Sequence, residues 1–120
     1  IALVSSGGVV PRGNPDRLES SAATKWIGYS IAGRDALPSG EYECIQAGFD
    51  TFHSNRDPHR VVPLDVCRTL EGEGRIGDLA DTYYVTVGNL TPVASAEHFA
   101  REIAGRLRAT GVQGVILTAT

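Results

Sequence analysis

Tyr83-Tyr84-Val85-Thr86-Val87, then Ala96, Phe99, Ala100, Ile103, Ala104 and Leu107, then Val112 to Leu117 form the stretch that decides the fold. The first segment is aromatic and β-branched, bounded by Asp81-Thr82 and Gly88-Asn89, and predicts a strand. The middle residues recur at i, i+3, i+4, i+7, i+8 and i+11, which is one face of an amphipathic helix. Ser95 is placed to cap its start and Gly111 its end. Glu97 with Arg101, and Glu102 with Arg106, have the spacing of ion pairs on the wet face. His98 falls in the first turn, facing solvent. The last segment is apolar until Thr118-Ala119-Thr120, as a buried strand is when it reaches its carboxyl end. Strand, helix and strand over about 35 residues predict a right-handed βαβ crossover with parallel strands.

Outward from this unit, Ile1-Ala2-Leu3-Val4 predicts a third parallel strand, followed by Ser5-Ser6-Gly7-Gly8. A shorter helix is expected from Pro63, with Leu64, Cys67 and Leu70 inward and Gly72 and Gly74 ending it. Ile76 to Ala80 reads as one further turn and Glu43 to Ala47 as a short strand. Residues 7–40 carry no sustained period and read as a long ordered loop with one short element near Trp26–Ile31. A loop of that length inside a compact domain is either functional or hides structure. The expected fold is a single three-layer α/β domain over residues 1–120. Its sheet is mainly parallel, with at least one right-handed βαβ unit, and Rossmann-like or flavodoxin-like. The chain opens on Ile1 and closes inside strand-like sequence, so it is expected to be a piece of a larger protein.

The 120 residues are 42% hydrophobic and 21% charged, with a formal charge of −3. That suits one domain with a modest core. Lys25 is the single lysine and the arginines are dispersed, so nothing points to nucleic acid. No apolar run approaches the roughly 20 residues of a membrane span, and no secretion-signal pattern opens the chain. Cys44 and Cys67 lie far apart in no CxxC pattern. They read as buried, reduced thiols of a cytoplasmic protein.

Parallel strands would bring Ser5-Ser6-Gly7-Gly8, Gly88-Asn89-Leu90-Thr91 and Thr118-Ala119-Thr120 to one edge, where open α/β sheets bind ligands. Ser5, Ser6, Gly7, Gly8, Gly88, Asn89, Thr118 and Thr120 are therefore the candidate substrate-binding residues. Glycines there admit backbone N–H groups to an anionic ligand, and hydroxyls and Asn89 add fixed donors. The loop is no dinucleotide fingerprint, because G-x-G-x-x-G is absent and Pro11 and Pro15 oppose a helix. A second polar cluster runs from Gly48 to Arg60, with Asp50, His53 and His59 as acid/base or loop residues. Its spacings match no metal pattern, and turns at Asn55 and Asp57-Pro58 favour a structural loop. Arg12 and Arg17 have the chemistry to hold a carboxylate, but surface positions are the commoner fate of arginine.

Five strings carry a resemblance. They are Leu3-Val4-Ser5-Ser6-Gly7-Gly8-Val9-Val10-Pro11 with Gly13-Asn14-Pro15-Asp16-Arg17 and Glu19 to Lys25; Gly48-Phe49-Asp50 with Asn55 and Asp57-Pro58; Arg60-Val61-Val62-Pro63-Leu64-Asp65-Val66; Gly74-Arg75-Ile76-Gly77 with Thr86-Val87-Gly88-Asn89; and Val115 to Thr120. In this order, along essentially the whole chain, they resemble the selenoprotein B family of the glycine, sarcosine, betaine and D-proline reductases. The resemblance implies part of a B-type component of an anaerobic reductase that cleaves a C–N bond alpha to a carboxylate. It also implies a partner subunit carrying a pyruvoyl group that holds the amine substrate, and no cofactor in this chain. In the family a selenocysteine or cysteine directly follows the strand that ends Thr-Ser-Thr or Thr-Ala-Thr, matched here by Thr118-Ala119-Thr120. A UGA codon read as stop, or simple trimming, would each end a chain at that point. The family pattern often has His before Gly-Phe/Tyr-Asp, whereas Gln46-Ala47 precede Gly48 here. A non-catalytic ligand-binding or subunit-interface α/β domain is the alternative reading.

Overall fold

The computed structural model describes residues 1–120. Strands β1 (Ala2–Ser5), β2 (Val9–Pro11), β3 (Ile27–Ser30) and β4 (Tyr42–Cys44) precede helix α1 (Phe52–Arg56), a 3₁₀ turn at Pro58–Arg60 and helix α2 (Leu64–Gly72). Then come β5 (Thr82–Val85), α3 (Val93–Ala109) and β6 (Val115–Thr118). The main sheet has the order β3-β5-β1-β6, and β2 pairs with β4 in a separate ribbon. β1 runs parallel to both neighbours: Ser5 lies opposite Val85 and Thr118, and Val4 opposite Tyr84 and Leu117. The three expected parallel strands are thus present, with β1 between the two that α3 connects.

Alternation along the strands assigns the two faces. Ala2 and Tyr84 pack with Ile103 and Leu107 of α3, and Val4 and Trp26 flank them. Leu3, Tyr83 and Val85 point the other way, into a core with Val9, Val10, Val62, Leu64 and Cys67. The sheet therefore lies between α3 and a layer built from α2 and the β2–β4 ribbon. Tyr83 is fully buried and its hydroxyl donates to the Val9 carbonyl at 3.1 Å, tying β5 to the ribbon. Burial holds that phenol well above its ordinary pKa.

Both longer helices end as their glycines dictate. Gly74 and Gly111 adopt φ of 68° and 75°. After each, the next N–H returns to the helix, Arg75 to the Leu70 carbonyl and Val112 to that of Leu107. The start of α3 differs from expectation: it begins at Val93 after Pro92, no side chain caps it, and Ser95 lies inside it. Pro92 is extended at ψ 142°, which breaks the chain cleanly before the first turn, where free N–H groups face water. The Glu97–Arg101 pair forms at 3.2 Å. Glu102 does not pair with Arg106; it accepts from the Trp26 indole at 2.7 Å, while Arg106 stacks over that ring.

The turn expected at Ile76–Ala80 is absent, and this segment is irregular. The Leu79 N–H is taken by the Glu71 carboxylate and the Ala80 N–H by the Ile1 carbonyl, so no local turn is left to form. Residues 7–40 are not one long loop. They contain β2 and β3, and β3 is an antiparallel edge strand that makes the sheet mixed. The short strand expected at Glu43–Ala47 is present as β4 but ends at Cys44, and residues 45–47 are irregular. Cys44 and Cys67 are free and buried as expected, and burial raises the Cys67 pKa above its ordinary value. No helix is long and apolar enough to cross a membrane.

Candidate functional site

Hydrogen bonds continue past the ends of the strands and gather their loops. The Thr86 N–H donates to the Ser5 carbonyl, Gly8 to Thr86 and Gly88 to Ser6, so β1 and β5 stay zipped as far as Gly8. On the other side the Ser6 N–H donates to the Thr118 carbonyl at 3.0 Å. The expected convergence is present. A Cβ built on Gly88 would lie 3.2 Å from the Ser6 hydroxyl, and one on Gly7 would lie 3.2 Å from Thr120 Cγ2. Ser5 and Ser6, Gly7 and Gly8, Gly88 and Asn89, and Thr118 and Thr120 thus share one edge.

The chemistry at that edge differs from a cradle of free amides. The Gly7 N–H is held by the Ser5 hydroxyl at 3.0 Å, and the Asn89 N–H by the Gln46 side chain at 3.1 Å. With the bonds above, the N–H groups of Ser6, Gly7, Gly8, Gly88 and Asn89 are all engaged internally. The donors left for a ligand are side chains, the Ser6 hydroxyl and the Asn89 amide among them, and the backbone N–H groups past Thr118. A groove of about 280 Å³ opens beside the Ser6 hydroxyl, lined by Val4, Ser6, Phe99, Ile103, Leu117 and Thr118, while the Asn89 side chain lies outside it against Gly48. The groove is apolar apart from the hydroxyls at one end, so it offers a small ligand one polar anchor and a dry wall. Hollows of about 400 and 670 Å³ lie at the amino ends of the strands, around Ile1 and Val112, and beside Trp26. The first lies away from the strand carboxyl ends, where open sheets place their ligands, and the second runs along the outer edge strand β3 and shares Phe99 with the groove.

A segment that pattern reading took only for a short strand fastens this edge. Residues 44–48 run along it: the Cys44 thiol donates to the Gly7 carbonyl at 3.1 Å and the Ile45 N–H to that of Gly8 at 3.0 Å. Gln46 is only 4% exposed, and its amide reaches both the Asn89 N–H and the Thr120 hydroxyl. A Cβ on Gly48 would meet the Asn89 side chain at 2.9 Å, so only glycine fits there. The available signal was a buried-strand pattern running into a glutamine rather than into a turn residue, and periodicity gives such a glutamine no role.

The Gly48–Arg60 cluster divides. The Asp50 carboxylate accepts from the Phe52 N–H at 2.9 Å, at the start of α1. His53 lies on the exposed side of that helix, edge-on to the Phe52 ring. His59 is structural: its Nε2 accepts from the Leu37 N–H at 2.8 Å, and its Nδ1 faces Asp57 at 3.1 Å. That pattern fixes a neutral imidazole with its proton on Nδ1. His59 Nδ1 also lies 3.8 Å from Asp65, and no group of three or more His, Cys, Asp or Glu side chains is arranged to hold a metal ion. Arg12 bonds the Ser39 carbonyl and lies 4.0 Å from Glu43, and Arg17 is exposed.

Comparison with known proteins agrees with the strings quoted above. The family model of Glycine/sarcosine/betaine reductase selenoprotein B (GRDB) matches residues 1–120. The glycine reductase complex component B subunit gamma of Carboxydothermus hydrogenoformans is 55% identical over 120 residues, all of this chain and 28% of that protein. The betaine and sarcosine reductase complex component B subunits beta of Peptoclostridium acidaminophilum are 46% and 45% identical, over the same share of each. The chain therefore spans just over a quarter of the length of these curated relatives. No solved structure matches. With a family model matched from its first residue to its last, this chain belongs to the glycine/sarcosine/betaine reductase selenoprotein B family.

Proposed function

We propose that this chain forms part of a component B subunit of a reductase that cleaves the C–N bond of glycine, betaine, sarcosine or a D-proline-like substrate. The observation that carries this reading is the family match along all 120 residues, which includes every strand-end segment of the edge described above. In this reading two electrons from a thiol reductant break the bond between nitrogen and the carbon alpha to the carboxylate. The amine leaves, and that carbon gains a hydrogen. The pyruvoyl group belongs to a partner subunit, and the redox nucleophile is a selenocysteine or cysteine placed after the Thr118-Ala119-Thr120 strand end. The Ser6 hydroxyl anchors the substrate carboxylate at the polar end of the groove walled by Phe99, Ile103 and Leu117, which excludes water. Asp50, His53 and His59 take no part in proton transfer, since Asp50 and His59 hold backbone N–H groups and His53 faces solvent. The domain is of the Rossmann-like, doubly wound kind with a right-handed crossover, and the complex works in the cytoplasm.

The test is reconstitution. The full-length polypeptide, assembled with its partner subunits and given a dithiol, should release ammonia or an amine from glycine, sarcosine or betaine, or open the ring of D-proline to a single amino acid. Residues 1–120 alone should release none, because removing one member of a catalytic unit removes most of its rate. An assembly that binds one of these substrates without ever cleaving it would favour the ligand-binding alternative.

A further inference from the structure

We infer that Gln46 is the positioning residue of this site: its buried amide locks the carboxyl end of β6 to the loop that leaves β5. The inference rests on the reading of that edge as the reductase site. Beyond Thr118 no backbone hydrogen bond holds β6 to its neighbours, so the Thr120 hydroxyl, which accepts from Gln46 Nε2, is the polar tether of that segment. On the other side of the same amide, Gln46 Oε1 accepts the Asn89 N–H at 3.1 Å. The two segments share no direct hydrogen bond and meet through this one side chain. Gln46 itself hangs from a fixed backbone, with Ile45 bonded to Gly8 and Ala47 bonded to Ser20 at 3.0 and 2.9 Å. At 4% exposure its amide has no water to fall back on, so both bonds are needed to satisfy it.

The chemical consequence follows from where the two partners sit. Asn89 follows Gly88, whose N–H is bonded to the carbonyl of Ser6 on the side that anchors substrate, and Thr120 belongs to the segment that presents the reacting group. A bridge between them sets the distance across which the reaction occurs. A misplacement of about 1 Å there costs on the order of 100-fold in rate. Gln46 makes no contact with the proposed substrate groove, whose lining does not include it. It acts through its two partners, on the rate of the bound complex more than on binding.

The experiment uses the full-length polypeptide in its assembled complex, with Gln46→Leu and Gln46→Glu. The readouts are amide exchange at Asn89 and steady-state turnover with glycine, betaine and sarcosine in turn. Gln46→Leu should speed Asn89 exchange by at least about 10-fold. It should also lower kcat by about 10- to 100-fold while KM changes by less than about 3-fold. Gln46→Glu has the same shape, keeps the acceptor for Asn89 and accepts the Thr120 hydroxyl, so it should restore most of both. Unchanged exchange in Gln46→Leu, or faster exchange with kcat within about 2-fold of wild type, overturns the inference. Should Gln46→Leu fail to assemble, Thr120→Val removes one half of the bridge. It should lower kcat about 10-fold with Asn89 protection kept, and an unchanged kcat would again overturn the inference. A wild-type assembly that reduces none of the substrates would sink the functional reading instead, and Asn89 exchange would still decide whether the bridge exists.

Discussion

Residues 82–120 and residues 7–50 are built on opposite principles. The first region is β5, α3 and β6: regular elements whose apolar residues recur with the period of the structure they form. The second contains three short strands and long connections, and it is held by backbone geometry and single hydrogen bonds. Three of the four non-glycine residues with positive φ lie in it: Asn14 at 46°, Arg17 at 51° and Ala22 at 50°. The fourth, Leu90 at 55°, sits in the loop that this region touches, where the Ala22 N–H donates to the Asn89 carbonyl. Both regions bury apolar side chains, Tyr83, Val85 and Phe99 in the first and Val9, Val10, Ile31 and Leu37 in the second; the second also stores local strain that its neighbours over-determine. The candidate site lies along the seam where they meet.

The largest effect should come from the packed region. Phe99 is 5% exposed within the larger core cluster, and Phe99→Ala should cost about 3–5 kcal/mol in a denaturant titration. A loss below about 1 kcal/mol would show that α3 is not what fixes this half of the molecule. Next comes Gly8, whose φ is 69° and whose added Cβ would meet Val87 Cγ2 at 2.9 Å and the Gln46 nitrogen at 3.2 Å. Gly8→Ala should cost about 2–4 kcal/mol. Gly13, at φ 83° with nothing within 4 Å, should lose only about 1 kcal/mol on the same change. Equal costs at the two glycines would break the claim that close approach, and not φ alone, holds the second region.

Legibility divided along the same seam. α3, α2 and the three parallel strands were readable because apolar periodicity records which face is buried, and the left-handed glycines mark where each helix stops. β2 was not readable, and β3 was foreseen only as one short element near Trp26–Ile31, without its type or its partner. Their three and four residues are too short for a period, and β3 alternates half-buried Ile27 and Tyr29 with Gly28 and Ser30. Their pairing is set by partners more than 30 residues away, Glu43 and Tyr84 among them. The gathering of Ser6, Gly7, Gly88 and Thr120 followed from topology and was foreseen. The engagement of their amides was not, because hydrogen bonds between loops depend on a register that no local pattern encodes. Gln46 escaped for the same reason.

Two smaller effects sharpen the comparison. Tyr83→Phe leaves the Val9 carbonyl buried without its donor and should cost about 1–2 kcal/mol, which urea unfolding measures. Since that hydroxyl joins the two regions, the variant should also loosen β2 more than α3 in hydrogen exchange. The smallest effect is a pH dependence. Glu71 accepts the Leu79 N–H at 2.6 Å and pairs with Arg68 at 2.8 Å, which holds its pKa below the usual 4.5. A lowered carboxylate stabilises the fold fully above that ordinary value, and the contribution is lost as pH falls through the lowered one. The stability gap between wild type and Glu71→Gln should therefore be flat at neutral pH and close on acidification below 4.5. A gap that widens on acidification would contradict the bonding described.

The central place of β1 has a consequence for how the chain is made. Its four residues lie at the start of the sequence, yet their partners are Tyr84 and Val85 on one side and Val115 to Thr118 on the other. During synthesis the middle strand of the sheet must wait, unpaired and apolar, until almost the whole segment has left the ribosome. Long-range parallel pairing of this kind is slow, and the waiting strand is open to wrong partners. The β2–β4 ribbon and α2 depend less on what comes after them and can form first, giving Leu3 a surface to rest on. Of these strands, the one that emerges last is then the one that completes both the sheet and the edge where the chemistry is proposed to occur.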